Sequence, residues 1–376
     1  VNAKIADYVA KHQEEALELL ESLVEINSFT GNREGVNRVG DVVAGRLAGL
    51  GFVETRYPRE TIGDHRLFTR PGTGKEILFS CHLDTVFPPE MGFDRFEKGE
   101  PNSTGPGVVD MKGGIAVLLG TLKMLDELGL RRPSTYHVFF SADEETGSED
   151  SRPLIEELAK GKDYGLVFEC GGGKNEVVSA RKGVGTFRID IEGKAAHAGN
   201  DWANGVDANL EAALKLVEVR KLTDLSKGTT VNVGQISGGI GANTISPKAQ
   251  LVIDVRFTDR TEGDRVVEGL TRLVGEALVP GSRSTLGGRI QRPVMAETEG
   301  NRRFAALVEK VSGGKVRPEK RGGVGDANFV AAAGVPTLDG FGPVGGKDHT
   351  KDEFMVTRTL FERMELLAEV LCEIDA

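Results

Sequence analysis

The chain has 376 residues, 39% of them hydrophobic and 28% charged, with a formal net charge of -10. That length is too great for one ordinary core and predicts two domains. No apolar run approaches a membrane span, and the acidic balance argues against nucleic acid or an anionic membrane as partner. The composition is that of a soluble globular protein. Three cysteines, Cys81, Cys170 and Cys372, form an odd set without paired spacing and read as reduced thiols of a cytoplasmic protein. The chain starts at Val1, which is compatible with a leader removed before it.

Apolar residues at helical spacing from Ile5 to Ile26 predict an amphipathic helix. Short apolar runs at Ile77-Leu78-Phe79, Val138-Phe139-Phe140 and Leu166-Val167-Phe168 then predict buried strands, with a helix from Ile115 to Leu128 between the first two. Continuous apolar strands separated by helices imply a largely parallel sheet covered on both faces, an α/β domain with its site at the carboxyl ends of the strands. After Gly171-Gly172-Gly173 the pattern changes to strict alternation, as in Phe187, Ile189, Ile191 and in Leu251, Ile253, Val255, Phe257. With helical stretches at 206–219 and 263–278, this predicts a small α+β domain, an antiparallel sheet with helices on one side. It is placed at 178–291 as an insertion between 1–177 and 292–376, because the helix up to Val311 and the strand Val335-Pro336-Thr337-Leu338 return to the first style.

Five segments carry good ligands for divalent metal: Cys81-His82-Leu83-Asp84, the run from Gly107 to Gly114 containing Asp110, Asp143-Glu144-Glu145, Phe168-Glu169 and Asp348-His349-Thr350. Imidazoles, several carboxylates and one adjacent glutamate pair are the mixture that two metal ions and a proton-handling group require. His82 and Asp84 lie two apart, so on an extended strand end Asp84 can accept from the ring nitrogen of His82 that is not used for metal. Asp110 follows an apolar Gly-Val-Val tail, expected as the end of a strand, and precedes the glycines of a helix start. Glu144 and Glu145 repel each other unless a cation or proton lies between them; one can bind metal while the other faces the attacking water. Cys81 and Cys170 adjoin these ligands but read as small buried hydrophobes.

In their order H-x-D, G-x-x-D-M-K-G-G, D-E-E-T-G-S, F-E and D-H-T, these motifs resemble the co-catalytic zinc peptidases and deacylases of the M20 type. That group includes carboxypeptidase G2, aminoacylase-1, acetylornithine deacetylase and succinyl-diaminopimelate desuccinylase. The resemblance covers essentially the whole chain, and the loop from Arg321 to Ala327 with Pro106-Gly107 looks most like the glutamate-releasing carboxypeptidase. It implies a zinc-exopeptidase-like catalytic domain and a ferredoxin-like insertion serving as lid and dimerisation domain. It further implies two Zn2+ per subunit, with Co2+ or Mn2+ as substitutes. Asp110 would bridge them, His82 and Glu169 would complete one site, and Glu145 and His349 the other. Glu144 would be the general base, Asp84 the partner of His82, and the Asp110-Met111 peptide cis. His197, in Gly193-Lys194-Ala195-Ala196-His197-Ala198-Gly199, matches a histidine that reaches across a dimer interface to the reacting carbonyl, implying a homodimer. Arg256 and Asn243 match residues that hold the substrate carboxylate, a task suited to the planar fork of arginine.

The expected activity is metal-dependent hydrolysis of an amide, releasing a C-terminal amino acid with a free carboxylate from a short peptide or N-acyl amino acid. Deacylase or dipeptidase chemistry on the same site is the near alternative. A non-catalytic zinc-dependent scaffold is the alternative of another class, and the presence of Glu144, which holding metal does not require, weighs against it. The glycine-rich segments Gly171-Gly172-Gly173 and Gly238-Gly239-Ile240-Gly241 lack the strand–loop–helix spacing of a phosphate cradle.

Overall fold

The computed structural model describes residues 2–374, in two compact units. One unit holds the described residues through Ala180 together with Glu297–Arg321 and Gly325 onward; the other holds Arg181–Ala296 with Gly322–Val324.

In the first unit, helices α1 (Asn2–Lys11), α2 (Gln13–Val24) and α3 (Arg33–Ala48) precede strands β1 (Val53–Tyr57), β2 (His65–Arg70), β3 (Glu76–His82) and β4 (Asn102–Thr104). Helix α4 (Lys112–Glu127), β5 (Thr135–Ser141), α5 (Arg152–Ala159), β6 (Tyr164–Val167) and β7 (Val177–Arg181) follow. The second unit runs β8 (Gly183–Glu192), α6 (Ala208–Arg220), β9 (Thr230–Gly238), β10 (Lys248–Phe257), α7 (Arg260–Gly275) and β11 (Arg283–Arg292). The chain then adds α8 (Glu299–Val311), β12 (Pro318–Arg321), α9 (Ala327–Ala332), β13 (Thr337–Leu338), β14 (Gly345–Gly346), β15 (Phe354–Val356) and α10 (Thr357–Ile374) to the first unit.

The first unit is built on a six-stranded sheet in the order β1-β2-β5-β3-β6-β13. Its centre, β5-β3-β6-β13, is parallel, and β1 and β2 extend one edge in antiparallel fashion. Successive side chains alternate between two apolar faces. Ile77, Phe79, Val138 and Phe140 enter one core with α2, α4 and α10, whereas Leu78 and Phe139 enter another with α5 and α9. Both faces being dry explains why these strands read as unbroken hydrophobic runs. The single helix expected over 5–26 is two helices. At the break the His12 ring stacks on Tyr8 with centroids 3.9 Å apart, and its Nδ1 lies 2.7 Å from the Tyr8 carbonyl. A side chain that takes a helical carbonyl competes with the backbone for it.

The second unit is a four-stranded antiparallel sheet, β11-β8-β10-β9. Phe187, Ile189, Ile191, Leu251, Ile253 and Val255 bury against α6 and α7, while Arg188, Asp190 and Gln250 bond one another on the open face. Inside this core sits an ion pair without solvent contact, Lys215 Nζ to Glu211 Oε1 at 2.9 Å. Lys215 also donates to the carbonyls of Leu273 and Glu276, and Glu211 accepts from the amides of Leu278 and Val279, so the pair fastens the end of α7 to α6. Glu211→Ala leaves a buried ammonium unpaired and is expected to cost about 3–5 kcal/mol in urea unfolding. A loss under about 1 kcal/mol, the usual worth of an exposed pair, would show that water reaches Lys215.

Candidate metal centre

Because β5, β3 and β6 are adjacent and parallel, their carboxyl ends share one edge, and each hands on a ligand type. His82 is the last residue of β3 and faces Ser141, the last of β5. Asp143, Glu144 and Glu145 follow β5 in a short 3-10 turn, and Glu169 follows β6 by two residues. Asp110 arrives differently. The expected strand end is a turn over 106–111, leading through a cis Asp110-Met111 peptide into α4. Its amides are satisfied by a carboxylate, Glu353, instead of a strand ladder. His349, at φ 62°, sits in the loop between β14 and β15.

The two oxygens of Asp110 face two imidazoles. His82 Nε2 lies 3.0 Å from Oδ1, and His349 Nε2 lies 3.1 Å from Oδ2. Each imidazole meets a second carboxylate: Glu169 Oε1 is 3.6 Å from His82 Nε2, and Glu145 Oε2 is 3.3 Å from His349 Nε2. Ligating atoms of His82, Asp110 and Glu145 lie within 4.8 Å of one another, as do those of Asp110, Asp348 and His349, so Glu145 borders both halves. Asp348 is an exposed carboxylate whose part in the cluster sequence reasoning missed.

The protonation pattern is that of a site short of positive charge. Burial works to lower His82, but its hydrogen bonds to Asp110 and Asp84 outweigh burial and hold the imidazole well above its usual range. Hydrogen bonds to Asp110 and Glu145 push His349 up to about 11. Burial, then the Asp110 charge, raises Glu145 to about 7 and lifts Glu169 well above the carboxylate range. Asp110 itself is held low: burial opposes ionisation, and the bonds from His349 and His82 overcome it. Glu145 Oε1 is buried and has no hydrogen-bond partner among the described residues. An unpaired buried acceptor among imidazoles and carboxylates is the place a cation would take, so the residues fit divalent metal. No cysteine joins these groups among the described residues; burial pushes Cys170 up to about 12 and Cys81 well above the usual thiol range.

Behind the ligands stands a layer of buried acceptors. His82 Nδ1 is 3.0 Å from the Asp84 carbonyl and 3.4 Å from its carboxylate, which fixes the tautomer and leaves Nε2 for the cluster. The Asp84 carboxylate is mainly engaged elsewhere: Oδ2 accepts from Thr30 Oγ1 at 2.7 Å, and the two oxygens accept from the amides of Glu144 and Glu145 at 3.3 Å each. Asp326 accepts from Ser141 and Ser148 on either side of the glutamate turn, and Asp339 accepts from Glu169 N at 3.3 Å. Burial, countered by the backbone donors, pushes Glu353 up to about 8.

His197, Asn243 and Arg256 belong to the second unit. The loops carrying the first two are zipped together, with Ala198 N donating to the Asn243 carbonyl at 2.9 Å and Ile245 N to the Ala196 carbonyl at 2.9 Å. His197 Nδ1 accepts from the amides of Gly199 and Asn200 at 3.1 Å each, so a neutral ring carries its proton on Nε2. Arg256 is not brought to this end. Asn243 precedes β10 and Arg256 lies near its far end, roughly 25 Å along an extended strand. There its Nε donates to Asp254 at 3.1 and 3.2 Å. Within this unit the rise of the strand therefore sets Arg256 and Asn243 apart.

The pattern of peptidase family M20/M25/M40 matches residues 78–373. Carboxypeptidase G2 of Pseudomonas sp. (strain RS-16) is 32% identical over 374 residues, covering 97% of this chain and 90% of that protein. Acetylornithine deacetylase of Klebsiella pneumoniae (strain 342) is 27% identical, over 94% of this chain and 96% of its own length. The crystal structure of aminopeptidase PepT from Bacillus cereus ATCC 10987 superposes with a TM-score of 0.81 at 22% identity, over 97% of this chain and 99% of its own, a likeness of fold. A family pattern running from β3 into α10, and a relative one-third identical across nearly the whole length, carry the assignment: this chain belongs to peptidase family M20/M25/M40 and is a hydrolytic enzyme.

Proposed function

We propose that this chain releases a C-terminal amino acid, glutamate above others, by hydrolysing the amide that precedes it in a peptide or N-acyl conjugate. The supporting observation is the gathering of His82, Asp110, Glu145, Glu169 and His349 in a chain 32% identical to a carboxypeptidase over 97% of its length. Asp110 would be shared by two divalent cations, zinc by the balance of nitrogen and oxygen donors, with His82 and Glu169 on one side and Glu145 and His349 on the other. When bound, such ions polarise a carbonyl and acidify water.

The residues around them do the rest. Glu144, half-buried beside Glu145, accepts the proton of the attacking water and returns a proton to the leaving nitrogen. His197 donates from Nε2 to the developing oxyanion. Arg256 and Asn243 receive the carboxylate of the leaving amino acid, so that only a chain end fits. The assay that tests this compares turnover of glutamate, aspartate and neutral conjugates with N-acetyl and N-succinyl amino acids. A preference for an acidic leaving amino acid is expected; faster removal of acetyl or succinyl groups from basic amino acids would overturn the carboxypeptidase reading in favour of a deacylase.

The separation of Arg256 from Asn243 favours a homodimer in which His197 and Asn243 act on the partner's substrate. The second unit supports this with an apolar exterior. Edge strand β9 exposes Ile236, followed by Ile240, and α6, which packs beside it, exposes Leu210, Leu214 and Val217. An exposed apolar edge of this kind asks for cover, here a second copy. His197→Ala and Arg256→Ala are each expected to be nearly inactive. Mixed one to one and allowed to exchange, they regain about a quarter of wild-type activity, since half the dimers carry one intact site of two. No recovery on mixing places both residues in one subunit's site. Three free thiols suit a reducing, cytoplasmic setting, and among the described residues no helix is long and apolar enough to cross a membrane.

A further inference from the structure

Glu353 is fully buried behind Asp110 and accepts three backbone N–H groups of the turn that carries it. Val109 N donates to Oε1 at 2.9 Å, Asp110 N to Oε1 at 3.2 Å, and Gly107 N to Oε2 at 3.2 Å. Gly107 takes φ 81°, a left-handed conformation within the same turn. The carboxylate comes from far along the chain, and its place is set by β15, which starts at the next residue and pairs Phe354 with Thr104 of β4 and with Gly346 of β14. The same β14–β15 hairpin carries His349, whose Nε2 lies 3.1 Å from Asp110 Oδ2. One hairpin therefore grips Asp110 twice, its side chain through an imidazole and its backbone through a carboxylate.

A turn that merely needed acceptors would be served more cheaply by carbonyl groups. A second buried carboxyl group directly behind Asp110 costs desolvation and, once ionised, repulsion, and its ionised form is tolerable where cations lie in front of it. We propose that Glu353 is a positioning residue of the metal centre, which holds the backbone of Asp110 so that its two oxygens stay aimed at the two imidazoles. The proposal rests on Asp110 being the ligand shared by both cations.

The test uses the full chain, stripped of metal and titrated with Zn2+ against a chelating indicator, and with Co2+ followed by its visible absorption bands. Glu353→Gln keeps the shape but sets an amide –NH2 against a backbone N–H. It is expected to weaken metal affinity ~10–100-fold and to shift the Co2+ bands, with Glu353→Asp recovering part of both. A Gln variant with wild-type affinity and an unchanged Co2+ spectrum overturns the proposal, even if the melting temperature of the metal-free protein falls, because that fall alone marks a structural role. Should the Gln variant not fold, Glu353→Asp carries the same comparison: weakened affinity supports the proposal and wild-type affinity overturns it. Asp110→Asn separates the two levels. If it too leaves affinity and spectrum unchanged, the shared-ligand reading fails and the positioning role goes with it; if it alone loses metal, only the role of Glu353 fails.

Discussion

Glu144→Gln is expected to retain its metal and to lose ~10²–10⁴-fold in kcat with little change in KM. The substitution conserves volume and removes only the ability to take and return a proton. Its neighbour makes the contrast informative. Glu145 has an almost fully buried side chain, one oxygen 3.3 Å from His349 Nε2 and the other without a hydrogen-bond partner among the described residues, so Glu145→Gln is expected to lose metal along with activity. Two adjacent residues of the same chemistry should thus fail in different ways, one in turnover alone and one in metal content measured by elemental analysis. Near-normal turnover in Glu144→Gln refutes its role as base, and loss of metal there moves it into the ligand set. A loss of the acid limb of the kcat/KM profile in the Gln variant would tie that limb to Glu144 itself.

How much of this centre is legible in the amino-acid order depends on whether a residue's partners are near it. The ends of the apolar runs 77–79, 138–140 and 166–168 point to His82, the glutamate pair and Glu169, because parallel strands joined by helices must bring their carboxyl ends to one edge. The alternation around 187–191 and 251–257 likewise marks a sheet with one dry face, and β8 and β10 pair across it. Reading fails where the partner is distant. The Gly107–Asp110 stretch looks like the tail of a strand, but a carboxylate more than two hundred residues on takes its amides. Glu353 is one of 57 acidic residues and carries no local mark. His65 looks ordinary, yet it is buried, accepts from Ala142 N at 3.1 Å and meets Asp150 at 3.0 Å, bracing the glutamate turn from both ends. Strand β1 goes unread because four of its five residues are exposed and show no alternation, and β2 because buried His65, Arg66 and Arg70 break its apolar run.

Asp84→Ala is expected to be among the most damaging single changes outside the ligands, because one carboxylate supports two functions. Asp84 is fully buried. Its backbone carbonyl, which accepts from His82 Nδ1 at 3.0 Å, survives the substitution, so the His82 tautomer is kept. What disappears is the acceptor for the amides of Glu144 and Glu145 and for the Thr30 hydroxyl. Loosened support of a ligand costs ~10–100-fold in metal affinity or activity, and displacing a reacting group by about 1 Å costs ~10²-fold in rate. Acting together they predict a fall on the order of 10³–10⁴ in kcat/KM at limiting metal. The two parts separate by titration. Excess metal restores the share due to the ligand, and the defect that remains at saturation belongs to the misplaced Glu144. Asp84→Asn should behave nearly as badly, since it meets several donors with a single acceptor oxygen, whereas Thr30→Val keeps the carboxylate and should lose little. Full recovery in excess metal would mean that Asp84 acts on the ligands alone, and an Asp84→Ala enzyme as fast as wild type at limiting metal would show that the glutamate turn holds its place without it.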